Sequence, residues 1–139
     1  MADPESAARA GLRRSLVIYV LLFGTAVSVV YYIAQNAAAG AAYVTLSVVG
    51  IVALLLGYQV VQHYRDLRAP LTESEGVVLR KWSRADLVIA WNSYYITVNR
   101  TVFRIDVLDF TEVREEMYVK IVHFPHTNNV VSVHPQPSP

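Results

Sequence analysis

Ser15-Leu-Val-Ile-Tyr-Val-Leu-Leu-Phe-Gly-Thr-Ala-Val-Ser-Val-Val-Tyr-Tyr-Ile-Ala34 is the stretch that decides how the rest of the chain is read. After Gln35-Asn36 a second apolar run extends from Ala37 to Gln62, and no Asp, Glu, Lys or Arg falls between Arg14 and Arg65. A hydrocarbon core about 30 Å thick takes ~20 apolar residues at a helical rise of about 1.5 Å each, and both runs reach that length. The pattern predicts a two-helix transmembrane hairpin turning near Ala37, with a separate polar domain behind it.

The flanks set an expected orientation. Three arginines (Arg9, Arg13, Arg14) precede the first run and two (Arg65, Arg68) follow the second, whereas the connection carries none. Short loops rich in Lys and Arg stay cytoplasmic, so both termini and the polar domain are expected in the cytoplasm of a multi-pass inner-membrane protein. Tyr31, Tyr32 and Tyr43 fall near the outer interface and Tyr19, Tyr58 and Tyr64 near the inner one, where a ring with a polar tip suits the headgroup zone. A cleavable signal ending at Ala37-Ala38-Ala39 is the competing reading of the first run. Its apolar stretch is longer than the ~7 to 15 residues of a signal, and it ends in Tyr31-Tyr32, so the span is read as retained.

In a hairpin turning near Ala37, residues at equal depth have numbers summing to about 74. That sets Gly24 opposite Gly50 and Ser28 near Ser47, and Ala53 with Gly57 forms a further pair of small residues four apart; such positions let helices approach closely where lipid offers no hydrophobic contrast. The spans hold no ionisable side chain, which removes the groups on which proton relays and ion pathways depend.

Of the 139 residues, about seventy remain for a water-soluble fold, enough for one small domain. The organisation expected is an N-terminal tail (1–14) disordered at least through Arg9, the hairpin with a juxtamembrane helical extension (15–69), a β domain (70–134) and a proline-rich tail (135–139). Pro70 ends the second helix and leaves a short, stiff link. From Leu71 onward seven cations face eight carboxylates, a balance that lacks the basic footprint of a nucleic-acid binder. Cysteine is absent, which removes disulfides, thiolate metal sites and thiol catalysis.

The polar half reads as β-type runs: Gly76 to Trp82, Asp86 to Trp91, Tyr94 to Asn99, Thr101 to Asp106, Met117 to Phe124 and Asn129 to His134. Ile96 and Val98 alternate with Tyr95 and Thr97, Phe103 and Ile105 with Arg104, and Val119 and Ile121 with Tyr118 and Lys120, so each strand has one buried face. Asn99-Arg100 predicts a tight turn, Phe124 to Asn129 a longer one, and Asp109 to Glu116 a helical turn. Five or six short strands in so small a domain must hide their edges, which predicts a small SH3-like or OB-like barrel.

In this layout, a first strand opening Gly76-Val77, a central hairpin, a short turn and a final strand pair, the chain resembles small barrels appended to bacterial membrane hairpins, including the soluble domain of the NfeD-like family. The resemblance covers roughly Gly76 to His134. No family motif is matched residue by residue, and the Gly-rich turns of those domains are replaced by Glu115-Glu116 and Asn99-Arg100, so no functional residue is carried over.

Candidate sites come from composition. His123, His126 and His134 cluster on the last predicted hairpin, and imidazole is a common metal ligand, yet no Cys and no carboxylate after Glu116 joins them, so no metal or other cofactor is expected. No Gly-x-Ser-x-Gly, Ser-x-x-Lys or His-Glu-x-x-His spacing occurs, and the carboxylates Asp106, Asp109, Glu112, Glu115 and Glu116 read as a solvated surface beside Arg104 and Arg114. Asn99-Arg100-Thr101 matches a glycosylation acceptor by chance. Trp82, Trp91, Tyr94 and Tyr95, close in sequence to Arg80 and Arg84, have the composition of a partner-binding surface. The function expected is a non-enzymatic membrane accessory or adaptor subunit, its hairpin docked to a larger membrane complex and its β domain open to a protein partner. The alternative is a membrane-tethered regulator or sensor whose barrel binds a small ligand, a metal or a lipid headgroup.

Overall fold

The computed structural model describes residues 3–36, 40–86 and 91–139, apart from the side chains of Ala41, Asp86 and Trp91. Helices α1 (Pro4–Asn36) and α2 (Ala41–Arg68) precede strands β1 (Thr72–Asp86), β2 (Trp91–Val98) and β3 (Thr101–Ile105), a short helix α3 (Val107–Glu112), and strands β4 (Tyr118–His123) and β5 (Val130–Pro135). The chain divides into two compact units, one of Gly11–Leu67 and one of Met1–Ala10 with Arg68–Pro139. The turn expected at Ala37 and most of the strand expected from Asp86 to Trp91 lie outside the described residues.

Helix α1 starts far earlier than composition suggested. Asp3 caps it, accepting from Glu5 N–H at 3.4 Å through Oδ1 and from the Ser6 hydroxyl at 2.7 Å through its carbonyl. Pro4 stands at the first helical position, where its missing N–H has no partner to lose. Glu5 pairs with Arg9 one turn on, at 3.0 Å. Arg9 donates to Ala69 O at 3.4 Å and lies 5.6 Å from the centroid of the Phe124 ring, so the first turns fasten to the β unit instead of fraying.

Both helices are long and apolar enough to cross a membrane, and only 6% of each apolar window is buried by protein. Thr25, Ser28 and Ser47 each donate a hydroxyl to the carbonyl four residues earlier, at 2.8–2.9 Å, which satisfies the group without a second chain. The stagger differs from the one expected. A Cβ at Gly57 would come within 3.0 Å of the Phe23 ring, whereas one at Gly24 or Gly50 would meet nothing within 4 Å. Tyr19 lies beside His63, with ring centroids 4.9 Å apart. Paired numbers therefore sum to about 80 rather than 74, because the bulk of Phe23 seats in the space that Gly57 leaves open.

The β unit is a five-stranded antiparallel sheet in the order β3-β2-β1-β4-β5. Asn99 and Arg100 join β2 to β3 with φ of 48° and 65°, the two positive values a type I′ hairpin needs. Asn99 Nδ2 also donates to Glu75 O and lies over Gly76, where any Cβ would collide with it. In place of several short strands, β1 runs 15 residues and changes partner along its length: Thr72 to Val77 pair with β4, and Val78 to Asp86 with β2. The expected alternation is present, with Ile96, Val98, Phe103, Ile105, Val119 and Ile121 buried in one cluster with Val78 and Val113.

The expected barrel is not formed as a closed sheet. Beyond the ladder, β3 meets the β4–β5 connection at one parallel bridge, Arg104 to Asn129, and Arg104 N–H donates to Asn128 O at 3.1 Å. The proline-rich end is partly ordered: Pro135 completes β5, and Gln136 N–H donates to Tyr118 O at 2.9 Å.

Candidate functional site on the outer sheet face

A bulge in β1 decides which residues of the β unit face outward. Before it, Ser74, Gly76 and Val78 point to the core side and Glu73, Glu75 and Val77 away from it, as period-two pleating requires. The register shifts between Val78 and Arg80, so Leu79 and Arg80 together oppose Thr97. Beyond that point the even positions turn outward. Arg80 pairs with Thr97, Trp82 with Tyr95 and Arg84 with Ser93; on the next strand Val102 pairs with Thr97 and Arg104 with Tyr95. Residues opposite one another in an antiparallel pair share a face, and this face is opposite to that of Ile96, Val98, Phe103 and Ile105.

The rings of Trp82 and Tyr95 stack, centroids 5.6 Å apart and planes 21° from parallel, and the Arg80 guanidinium sits 5.5 Å from the Trp82 ring centroid. This is a cation–π arrangement on an aromatic pair. Among the described residues no carboxylate forms an ion pair with Arg80, Arg84 or Arg104, whereas Glu5 pairs with Arg9 and Glu73 with Lys120. Of the residues expected to form the surface, Arg80, Arg84, Trp82 and Tyr95 are thus brought together. Tyr94 is not. Its ring turns inward onto the core and meets Phe110 at 4.9 Å. The side chain of Trp91 lies outside the described set. Arg104 and Val102 belong to the face and were missed, since only the β2–β3 register places them beside Tyr95 and Thr97.

Lys81, opposite Ile96, takes the inward place that the bulge assigns it. Its ammonium donates to the carbonyls of Phe110 at 3.1 Å and Val113 at 2.9 Å and lies 4.6 Å from the Phe110 ring centroid, where it closes the C-terminal end of α3. The acidic segment likewise serves structure. Asp106 caps α3 by accepting from Val107 N–H at 2.8 Å, and Glu115 accepts from Lys81 N–H at 3.2 Å. Burial pushes the Asp109 carboxyl above the usual aspartate range, the nearby charges of Asp106 and Glu112 push it further, and His134 opposes them.

The three histidines do not form one site, and among the described residues no group of three potential ligands converges. His123 is buried, with Nε2 2.8 Å from Ser74 Oγ and Nδ1 2.9 Å from Phe124 O. The tautomer with its proton on Nδ1 satisfies all three groups: the ring donates to the carbonyl and accepts from the serine hydroxyl. Phe103 packs against that ring at 4.7 Å, so His123 ties the start of β1 to the end of β4. His134 is exposed near the end of β5, close to Asp109, and His126 sits in the preceding turn.

In the hairpin, Ala53 is buried and Gly57 receives Phe23, so this pair lines the contact between the helices. Gly50 and Ser47 border an apolar groove of about 590 Å³ beside it, together with Val27 and Leu54. Gly24 and Ser28 are not among the groove's lining residues.

No family model matches this chain, and no curated protein matches it.

Proposed function

We propose that the chain is a non-enzymatic integral membrane accessory subunit whose hairpin docks laterally to a larger membrane complex. One observation carries this reading: two long apolar helices have only 6% of their apolar windows buried by protein. Leu54 and Leu21 are 75% and 66% exposed, a state that water would penalise by about 25 cal/mol per Å² of apolar surface and that lipid or another membrane helix would not. A helix at the core of a soluble protein would be covered by its own chain. The arginine asymmetry supports a multi-pass topology in the inner membrane with both termini and the β unit cytoplasmic. The contact of β3 with the β4–β5 connection at Arg104 supports a barrel-like sheet of the kind found in NfeD-like soluble domains. The β unit would then be the module offered to a protein partner at the membrane surface.

The test is extraction in mild detergent followed by native electrophoresis, together with a photoreactive side chain at position 54. Migration within a larger complex, and a crosslink from position 54 to the same membrane polypeptide in replicate preparations, is the expected result. A lone monomer that crosslinks only to lipid overturns the docking reading. The alternative, a tethered regulator, gains one specific observation: the outer sheet face sets Arg80, Arg84 and Arg104 around the Trp82–Tyr95 stack.

A further inference from the structure

We infer that the outer face of β1, β2 and β3, with Arg80, Arg84 and Arg104 set around the Trp82–Tyr95 stack, docks onto anionic phospholipid headgroups. The inference rests on the reading that the hairpin spans a bilayer. Charge complementarity is the first argument. Three guanidiniums share one face with no ion pair among the described residues, in a unit that is slightly acidic as a whole. The same strand supplies a contrast. On the outward side of its first half Glu73 is paired with Lys120 at 2.9 Å, so cation excess is confined to the second half.

Side-chain chemistry is the second argument. Leu79, at the bulge, is 60% exposed and Val102 is 45% exposed, so apolar groups stand among the arginines. A polyanionic peptide or a nucleic acid would leave those groups in water. A headgroup layer accepts both kinds, because phosphates meet the guanidiniums while the apolar side chains and the amphipathic rings reach the acyl boundary. Connectivity is the third. Only Ala69, Pro70 and Leu71 separate α2 from β1, a reach of at most about 14 Å, so the β unit cannot leave the vicinity of the surface from which α2 emerges. Tethering at that range gives a high effective concentration of headgroups, and even a modest intrinsic affinity then holds the unit down. Each arginine near an anionic surface contributes about fivefold to docking, so the three together contribute on the order of a hundredfold.

The experiment uses the full chain carrying Trp91→Phe, which leaves Trp82 as its one tryptophan. It is reconstituted into vesicles of phosphatidylcholine alone or with about a third phosphatidylglycerol. Flotation with the vesicles and resistance to carbonate extraction report the hairpin independently. In anionic vesicles Trp82 emission is expected to shift to the blue and to resist acrylamide quenching. Both effects should disappear in phosphatidylcholine and on raising NaCl to about 0.5 M, where the screening length falls to ~4 Å. Replacing Arg80, Arg84 and Arg104 together by Gln should lower the docked fraction on the order of a hundredfold at an unchanged far-ultraviolet spectrum. Lys120→Gln, on the other half of the face, should leave the shift in place. Identical Trp82 spectra in both lipids, or a shift that survives the triple substitution, overturns the inference. So does a shift that requires inorganic phosphate or a poly-glutamate peptide in place of the anionic lipid. A chain that fails to float sinks the hairpin reading itself, an outcome separable from a floating chain with a silent Trp82.

Discussion

The hairpin and the β unit are built from much the same side chains, Val, Ile, Leu and Tyr, yet they use them in opposite directions. In the β unit Ile96 and Ile121 are 0% exposed and touch one shared core, whereas Leu54 in α2 is 75% exposed. Composition alone therefore does not say where apolar atoms go. The sheet has a period of two that sorts residues into a protein side and a water side, and the helices have no such sorting because they are apolar all round. A helix of that kind is stable only where its surroundings are apolar as well.

Five changes test this contrast. The largest effect is expected from Val78→Asp, at a core position that is 0% exposed. An unpaired carboxylate there costs about 5 kcal/mol or more, comparable with the whole stability of a small domain. The β-sheet signal in circular dichroism should be lost, and its retention would show that Val78 does not lie in the shared core. Next, Ile96→Ala should lower the stability of the β unit by about 2–5 kcal/mol in urea titrations followed by tryptophan fluorescence. Leu54→Ala in the same assay should change it by less than about 0.5 kcal/mol. A comparable loss from both would mean that the two units do not have separate solvents.

Leu54→Arg is the corresponding stress on the hairpin, worth about 2.5–3.5 kcal/mol against membrane insertion near a span centre. Carbonate extraction should release a fraction of this variant and none of the parent. Gly57→Leu comes fourth: a side chain forced against Phe23 should weaken the helix pair by about 1–3 kcal/mol in a helix-association assay, and Gly24→Leu should be silent. Equal effects at the two glycines would restore the stagger expected from the simple turn.

The smallest effect concerns Asp109, whose carboxyl is held above the usual aspartate range chiefly by burial. A carboxyl raised in the folded state contributes stability that is complete below its unfolded value, near pH 4, and is lost as pH rises through the folded value. Asp109→Asn removes that loss. The variant should match the parent at about pH 3 and be slightly the more stable at pH 7. A parent that is the more stable at neutral pH would show Asp109 to be held by an interaction other than burial.

Particular elements show how far the chain could be read in advance. The two apolar runs, the Asn99-Arg100 turn and the alternation in β2, β3 and β4 were all legible, because each depends on residues near one another in sequence. The N-terminal turns of α1 were missed, because overall polarity conceals the helix start that the capping chemistry of Asp3-Pro4-Glu5 encodes. His123 illustrates the opposite case. Its partners Ser74 and Phe124 O come from β1 and the end of β4, and no spacing rule pairs residues 49 positions apart.

Reading along the chain suffices to set lipid-length apolar helices ahead of a β unit and to pick out which side chains of β2, β3 and β4 are buried. Hydropathy and period are local quantities, and a run of residues carries them whatever surrounds it. Strand pairing in three dimensions is what stacks Trp82 and Tyr95 on one face with Arg80, Arg84 and Arg104, while Tyr94 and Lys81 turn inward. That choice hangs on one extra residue in β1 and on which strands lie beside it. Register is a property of pairs of strands, and a single chain read end to end does not contain its own pairing.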